Sequence, residues 1–411
     1  MKGKINYTQI SRFFFLAFLL FVQVFTYFYN NVVIGYVLIL LALFFQIASD
    51  KLLLKGRTYL WLVAFAVFCF ASSTIVAVDR AKAYTYILVF LEYTAVFYLI
   101  HRYTEEDRSI NFAITAFIIL SVVMAAVSMF FGRNQLRISF SENLNSNTIG
   151  VICVFGMAFL LFRFIHEEKT IDRIIPIVAI LLLLAFVVVR TVSKKSIITG
   201  AVLILLWLVF CYKQAFGNKN AVSRILIFTF LILIAYLAYK WFVKEESTSV
   251  EYLMFRFGRL NANDGGSTEE RIDLIKEGFN VFSTHFLLGV GYNNFRYYNS
   301  YYTYAHNLYI ELLSCCGIIG TLIFLVPIIR ALSGYRKLLY RGWKNERLQH
   351  TEHLYMLIIF LALLFLSFTQ IIIYELPLMY IYGVLTAYIS ISYYNVYDLR
   401  EEHVEDYQVR T

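Results

Sequence analysis

Long apolar runs, broken by short charged segments, dominate this chain. About twelve of them are long enough to cross a bilayer as a helix, at residues 13–29, 32–49, 58–78, 83–100, 110–131, 148–165, 174–190, 196–212, 225–243, 308–331, 354–374 and 377–394. The polar segments between them are short, with one exception at 244–306. No internal repeat, low-complexity segment or linker divides the chain. The pattern predicts an all-α fold, a polytopic transmembrane helical bundle that forms a single domain over 1–411. Its one large loop, 244–306, is expected to contain short helices and to carry the active site.

Composition agrees with this reading. The chain is 60% hydrophobic and 15% charged, with three prolines among 411 residues, whereas a soluble domain carries about 25% charged residues. The net charge of +9 is read first as topology, then as attraction to anionic lipid or substrate; no nucleic-acid partner is expected. With the N-terminus inside, the larger share of Lys and Arg falls on cytoplasmic segments, most densely at 330–347. Both termini are then cytoplasmic and the large loop is extracytoplasmic, as expected for a multi-pass protein of a bacterial cytoplasmic membrane. The basic N-terminus followed by an apolar run, without a small-residue cleavage site, reads as an uncleaved first helix. The five cysteines lie within or beside apolar runs and show no metal-ligand spacing. Glu92 sits mid-span, where an ionisable group is expected to face the bundle interior.

Three basic groups in short outer loops break the charge bias: Arg80 and Lys82; Arg133 and Arg137; Arg190, Lys194 and Lys195. Pairing with local acids such as Asp79, headgroup contact, or lining of a cavity for an anionic substrate would each account for them. In the large loop, Asn263-Asp264-Gly265-Gly266 signals a turn, and Ser267 and Glu270 have capping-box spacing. Ile272, Ile275, Phe279 and Phe282 then recur at helical spacing, which predicts an amphipathic helix over 268–282 on the bundle or membrane surface, with Arg271 in its first turn. Gly289-Val290-Gly291 ends this unit. Tyr292, Phe295, Tyr297, Tyr298, Tyr301, Tyr302 and Tyr304 follow, as interfacial anchors or as platforms for sugar rings. His306 and Asn307 stand where the loop enters the next span; a histidine there suits a general base near neutral pH, and an asparagine suits a helix cap.

His306-Asn307, nine residues, Gly317, two residues and Gly320 resemble the signature of the O-antigen ligase and O-antigen polymerase family. The likeness extends backwards over about residues 130–330. Arg271 with its helix and Gly289-Val290-Gly291 is similar to the family's arginine–helix–Gly-x-Gly pattern, and Arg137 with the segment from Asn145 to Gly150 resembles its arginine- and asparagine-rich entry to a span. At 191–196 the chain has lysine where the family has a Ser-Arg pair; a cation remains, but the bidentate fork is lost.

The resemblance implies transfer of a glycan from an undecaprenyl-diphosphate-linked donor to an acceptor sugar hydroxyl, in one inverting, metal-independent displacement with no cofactor. The expected catalytic residues are His306, as base for the hydroxyl, and Arg271, on the diphosphate. The expected substrate-binding residues are Arg137, Asn147, Lys194, Lys195, Asn307 and Tyr304. The expected partners are the lipid-linked glycan, the acceptor glycan and the bilayer, with a flippase and a chain-length regulator beside them. A usage rich in Lys, Asn, Ile, Tyr and Phe points to an AT-rich genome. It favours a surface-polysaccharide polymerase over the alternative, a ligase that moves the finished glycan to lipid A-core or another acceptor. A lipid-linked oligosaccharide flippase would show related halves and polar residues spread over many spans, and a non-catalytic scaffold would tolerate loss of His306 and Arg271.

Overall fold

The computed structural model describes residues 6–25, 32–49, 57–131, 146–166, 170–191, 193–211, 267–345 and 347–408. Among them are twelve α-helices and no strands. We number them α1 (Tyr7–Leu20), α2 (Val32–Ser49), α3 (Arg57–Val76), α4 (Arg80–Asp107), α5 (Asn111–Phe131), α6 (Ser146–His166), α7 (Thr170–Phe186), α8 (Lys194–Phe210), α9 (Ser267–Thr284), α10 (Leu308–Asn345), α11 (Arg347–Leu366) and α12 (Leu376–Gln408). The expected span 225–243, the first part of the large loop and Arg133 and Arg137 lie outside the described residues.

Six of the helices are long and apolar enough to cross a membrane: α3, α4, α5, α6, α10 and α11. Shorter apolar helices lie at Tyr7–Leu20, Val33–Ser49, Ile175–Phe186 and Leu376–Ser392. The run expected at 13–29 starts earlier, at Tyr7, and turns from α- to π-helix at Phe21–Phe25. The run expected at 174–190 ends in a second π-helical turn, Val187–Thr191. Apolar length alone is blind to such changes in backbone winding.

One helix is central. In α6, 94% of the apolar window is buried, against 39–56% in the other five long helices. A helix that is apolar on every side satisfies itself only inside the bundle. Gly150 lets it approach α8: a Cβ there would lie 2.9 Å from Ser196 Cβ and 3.1 Å from Thr191 Oγ1. Small residues at such crossings let backbones pack closely where lipid offers no hydrophobic driving force. The consequence is local and functional, because the N-termini of α6 and α8 come to the same place.

The loop is locked to α10 by an exchange of backbone hydrogen bonds. Gly317 interrupts α10 at φ 59° and ψ −167°, a conformation open essentially to glycine alone. The break frees main-chain groups of α10, and the chain 286–291 takes them. Val290 and Gly291 N–H donate to Ser314 and Cys315 C=O, both at 3.0 Å, while Ile318 N–H donates to Phe286 C=O at 2.8 Å. Gly289, at φ 69°, packs directly on the Cys315 carbonyl, and Gly317 packs on that of Leu287, so a side chain at either would overlap the opposing backbone. Two glycine motifs far apart in sequence are thus the two sides of one interlock.

The helix expected at 268–282 forms as α9 and packs on the bundle through a face that carries a glycine. Leu274 and Val281 are buried, and Gly278 sits against Ile310 of α10, whereas Ile272 and Phe279 are about half exposed. The stripe Ile272, Ile275, Phe279, Phe282 maximises side-chain size. Close contact with α10 instead selects the face that carries the small residue. Glu277 accepts from Ser300 N–H at 3.1 Å, and Tyr301 hydroxyl donates to Asp273 at 3.3 Å, which ties α9 to the tyrosine-rich segment.

Candidate active site

One end of the bundle gathers the turn between α3 and α4, the N-termini of α6, α8 and α10, and the segment between α11 and α12. The loop is stitched across it. Asn294 Oδ1 accepts from Asp79 N–H at 2.8 Å and its amide donates to Asp79 C=O at 3.1 Å, while Tyr292 N–H donates to Ser73 Oγ at 2.9 Å. Asp79 caps α4, accepting from Lys82 N–H at 2.9 Å, and takes the Tyr297 hydroxyl at 2.7 Å. These donors, Lys82 N–H first and the Tyr297 hydroxyl next, hold its carboxyl below the usual carboxylate range.

His306 occupies the left-handed region at φ 52°, uncommon for a residue with a side chain. Its neighbours over-determine that conformation. Ala305 N–H donates to Glu311 Oε2 at 2.8 Å, and Leu308 N–H donates to Ser367 C=O at 2.8 Å. Asn307 Oδ1 accepts from Tyr309 and Ile310 N–H at 3.0 and 3.2 Å. Glu311, buried one turn into α10, also receives the Tyr374 hydroxyl at 2.8 Å. Expected as a substrate-binding residue, Asn307 is thus seen as the cap of α10 and is itself buried. Asn307→Ala should cost about 1 kcal/mol, read as a lower melting temperature of the detergent-solubilised protein. Asn307→Ser, which can cap, should restore most of that loss.

The imidazole lies against Tyr304, ring centroids 4.2 Å apart. Burial, then the charges of Arg271 and Lys195, lower the His306 pKa to about 4. The ring is therefore neutral at physiological pH and free to accept a proton. Arg271 is exposed on the first turns of α9, and Lys195 lies in the first turn of α8. Charges from two distant stretches of sequence thus act on one histidine. Tyr304 is half-buried, and its hydroxyl is pushed up to about 12 by burial and by the carboxylates of Glu375 and Glu311.

The remaining expected residues cluster at the helix N-termini. Asn147 Oδ1 accepts from Ser193 Oγ at 2.9 Å, joining α6 to α8. Ser193 is the N-cap of α8 and its side chain accepts from Ser196 N–H. Lys194 and Lys195 follow it, both half-buried. Two converging helix N-termini with adjacent lysines suit a phosphate or diphosphate. Glu92 is half-buried.

Three-dimensional proximity adds residues that the sequence reading left out. Glu375, between α11 and α12, accepts from Gln370 Nε2 at 2.9 Å and from the Thr148 hydroxyl, and the charge of Lys195 acts on it. Arg296 stands 5.8 Å from the ring centre of Tyr86. In sequence, Glu375 stands out only as a lone acid within an apolar stretch, two residues before Pro377. The seven aromatics of the loop also separate: Tyr292 is a buried core residue against Phe65, Phe90 and Tyr374, Tyr302 is exposed, and Tyr304 lies at the histidine. Among the described residues no cluster of His, Cys, Asp and Glu has the arrangement of a metal site.

No curated protein matches the chain. Residues 179–325 match the family model described as O-antigen ligase. That segment contains Lys194, Lys195, Arg271, the two glycine motifs of the interlock and His306. Together with the membrane-capable helices, the match indicates a multi-pass, ligase- or polymerase-like membrane protein of the glycosyltransferase type. Over that segment the chain is similar to the O-antigen ligase family.

Proposed function

We propose that the protein transfers a glycan from an undecaprenyl-diphosphate-linked donor to a sugar hydroxyl on the extracytoplasmic side of the membrane. In this reading it polymerises repeat units into a surface polysaccharide. What supports the reading is that the charges of Arg271 and Lys195 both act on His306, at the end of the bundle where Asn147 and Ser193 join the N-termini of α6 and α8. A diphosphate leaving group is already a stable anion and requires cations rather than a general acid. Arg271, Lys194 and Lys195 supply them, with the N-termini of α6 and α8 behind. The acceptor hydroxyl is a weak nucleophile and requires a base, the role of His306. Attack opposite the leaving diphosphate inverts the anomeric centre.

The two halves of this site are electrostatically linked. Cations beside His306 oppose its protonation. A bound diphosphate offsets part of that repulsion and makes the imidazole a better base. Donor binding therefore prepares the site for the acceptor.

Deleting the gene and sizing the lipid-linked and surface glycans tests the choice of reaction. Single repeat units left on the carrier support polymerisation. Full-length chains left on the carrier overturn it in favour of ligation. Unchanged glycans overturn glycan transfer altogether.

A further inference from the structure

We infer that the tyrosine-lined wall running from His306 to Arg296 is the acceptor subsite, and that Arg296 binds a carboxylate or phosphate carried by a sugar of the acceptor glycan. The inference rests on the glycan-transfer reading above and goes beyond it, because it names the class of glycan as an acidic one.

The wall is a succession of ring contacts. The ring centres of His306 and Tyr304 are 4.2 Å apart, those of Tyr304 and Tyr374 6.5 Å, and those of Tyr374 and Tyr86 of α4 5.5 Å. The Arg296 guanidinium lies over the Tyr86 ring, 5.8 Å from its centre. All five residues are half-buried, so each keeps part of its surface open. One amide draws the two ends of the loop together. Asn299 Nδ2 donates to Phe295 C=O at 2.9 Å and to Thr303 C=O at 2.7 Å. Phe295 precedes Arg296 and Thr303 precedes Tyr304, so the backbone holds the arginine and the tyrosine at the two mouths of one closed turn.

Arg296 is firmly placed, yet its charge has no acceptor. It sits in the 3-10 turn Phe295–Tyr297. Asn294 pins that turn to the backbone of Asp79 on one side, and the Tyr297 hydroxyl pins it to the Asp79 carboxylate on the other. No hydrogen bond or ion pair joins the guanidinium to another of the described residues, and its Nε is buried without a partner. A cation that has lost part of its water and gained no acceptor is costly, and an anion on the substrate offsets that cost. A guanidinium grips a carboxylate or phosphate with two parallel hydrogen bonds while it stays stacked on an aromatic face. Tyrosine offers a flat apolar face with a polar tip, which suits the sugar rings between. The donor diphosphate has its own cations in Arg271, Lys194 and Lys195, whereas the charge of Arg296 acts on Tyr304. The arrangement fits a glycan with its reacting hydroxyl at His306 and its acidic group further along the wall.

The test uses the full chain in phosphatidylcholine nanodiscs, with lipid-linked donor and acceptor glycan isolated from the producing organism. The acceptor is used in its native form, after carbodiimide and borohydride have reduced its carboxylates to alcohols, and after phosphatase treatment. The native glycan should contain an acidic sugar, and removing its charge should raise the wild-type acceptor KM roughly 10- to 100-fold. Sensitivity to reduction identifies a carboxylate, and sensitivity to phosphatase identifies a phosphate. Arg296→Gln should raise KM for the native glycan by a similar factor, with less effect on kcat, and should no longer distinguish native from neutralised glycan. Arg296→Lys, which keeps the charge without the fork, should recover part of that distinction.

A glycan built only of neutral sugars overturns the inference and leaves glycan transfer standing, as does a wild type that uses native and neutralised glycans equally. Arg296→Gln that weakens both glycans alike also overturns it, because that is the behaviour of an arginine that only balances the buried Glu311. An effect that appears only when phosphatidylglycerol is added to the discs assigns Arg296 to a lipid headgroup and overturns it. A wild type that transfers no lipid-linked glycan overturns the functional reading and this inference with it. If Arg296→Gln does not fold, Arg296→Lys decides, and a wild-type ratio of the two KM values in that variant overturns the inference.

Discussion

His306→Ala should lower glycan transfer roughly 100- to 10,000-fold while the protein inserts and purifies normally. The imidazole is held by its backbone and by contact with Tyr304, and no hydrogen bond joins its nitrogens to another of the described residues. Its removal therefore takes away chemistry rather than packing. The turn at 305–308 remains, because Glu311, Asn307 and Ser367 fix it through groups other than the imidazole. The pH dependence is a second readout. With its pKa near 4 in the folded protein, against an ordinary value of 6.5, His306 should give the wild-type profile no inflection near 6.5. The sign for stability follows. An unfolded histidine binds a proton below about 6.5, whereas the folded one binds it only below about 4, so this group erodes stability as pH falls through that window. Thermal melts of wild type and His306→Ala should converge above pH 7. They should separate toward pH 5, with the wild type the more strongly destabilised. Normal transfer by His306→Ala would overturn the base assignment.

Gly317→Val should destabilise the protein by about 2–6 kcal/mol, the sum of a backbone cost of about 1–3 kcal/mol for an unfavourable φ/ψ and a comparable overpacking cost. Two independent penalties act at one position. The backbone lies at φ 59° and ψ −167°, which a β-branched residue does not adopt. Any Cβ there meets the Leu287 carbonyl across the interlock. The cheapest response is to pull residues 286–291 away from α10, which breaks the hydrogen bonds of Val290, Gly291 and Ile318 together. Leu287 and Gly289 join α9 to the tyrosine-rich segment, so both Arg271 and Tyr304 lose their placement with them. Fluorescence-detected size exclusion should show aggregated or poorly expressed protein. Gly320→Ala faces the side chains of Phe68 and Cys316 rather than backbone, and should be milder. A stable Gly317→Val protein with wild-type activity would show that the interlock does not hold the site.

Much of this molecule was legible before folding. Uninterrupted apolar length predicts helices because a backbone with no water must satisfy its own hydrogen bonds, and α3, α4, α5, α6, α10 and α11 follow that rule. His306 was legible because it marks the point where a polar loop enters an apolar run. Arg271 was legible because a cation near a helix N-terminus is out of place unless an anion compensates it. Other features were not readable in this way. Periodicity showed the apolar stripe of α9 but not its contact with α10, which is made at Gly278, a residue that apolar size leaves unmarked. The tyrosines formed one cluster in sequence and three environments in space, since alternate residues of an irregular segment point in unrelated directions. Asn307 suited both a ligand contact and a cap, and only the positions of Tyr309 and Ile310 N–H assign it to the cap.

The sequence by itself determined the membrane-spanning helical class, the identity of the polar loop and the two residue types suited to acid–base and anion chemistry. Those properties depend on composition and on spacing along one helix or one loop. Only the tertiary structure decided that Arg271 and Lys195 act on His306, that Lys195 also acts on Glu375 and that Tyr304 lies against the histidine, and that Gly289 and Gly317 face one another. Electrostatic and packing energies depend on distance through space. Residues separated by a hundred positions become neighbours only when α6, α8, α10 and the loop pack together, so no local pattern in the chain records their meeting.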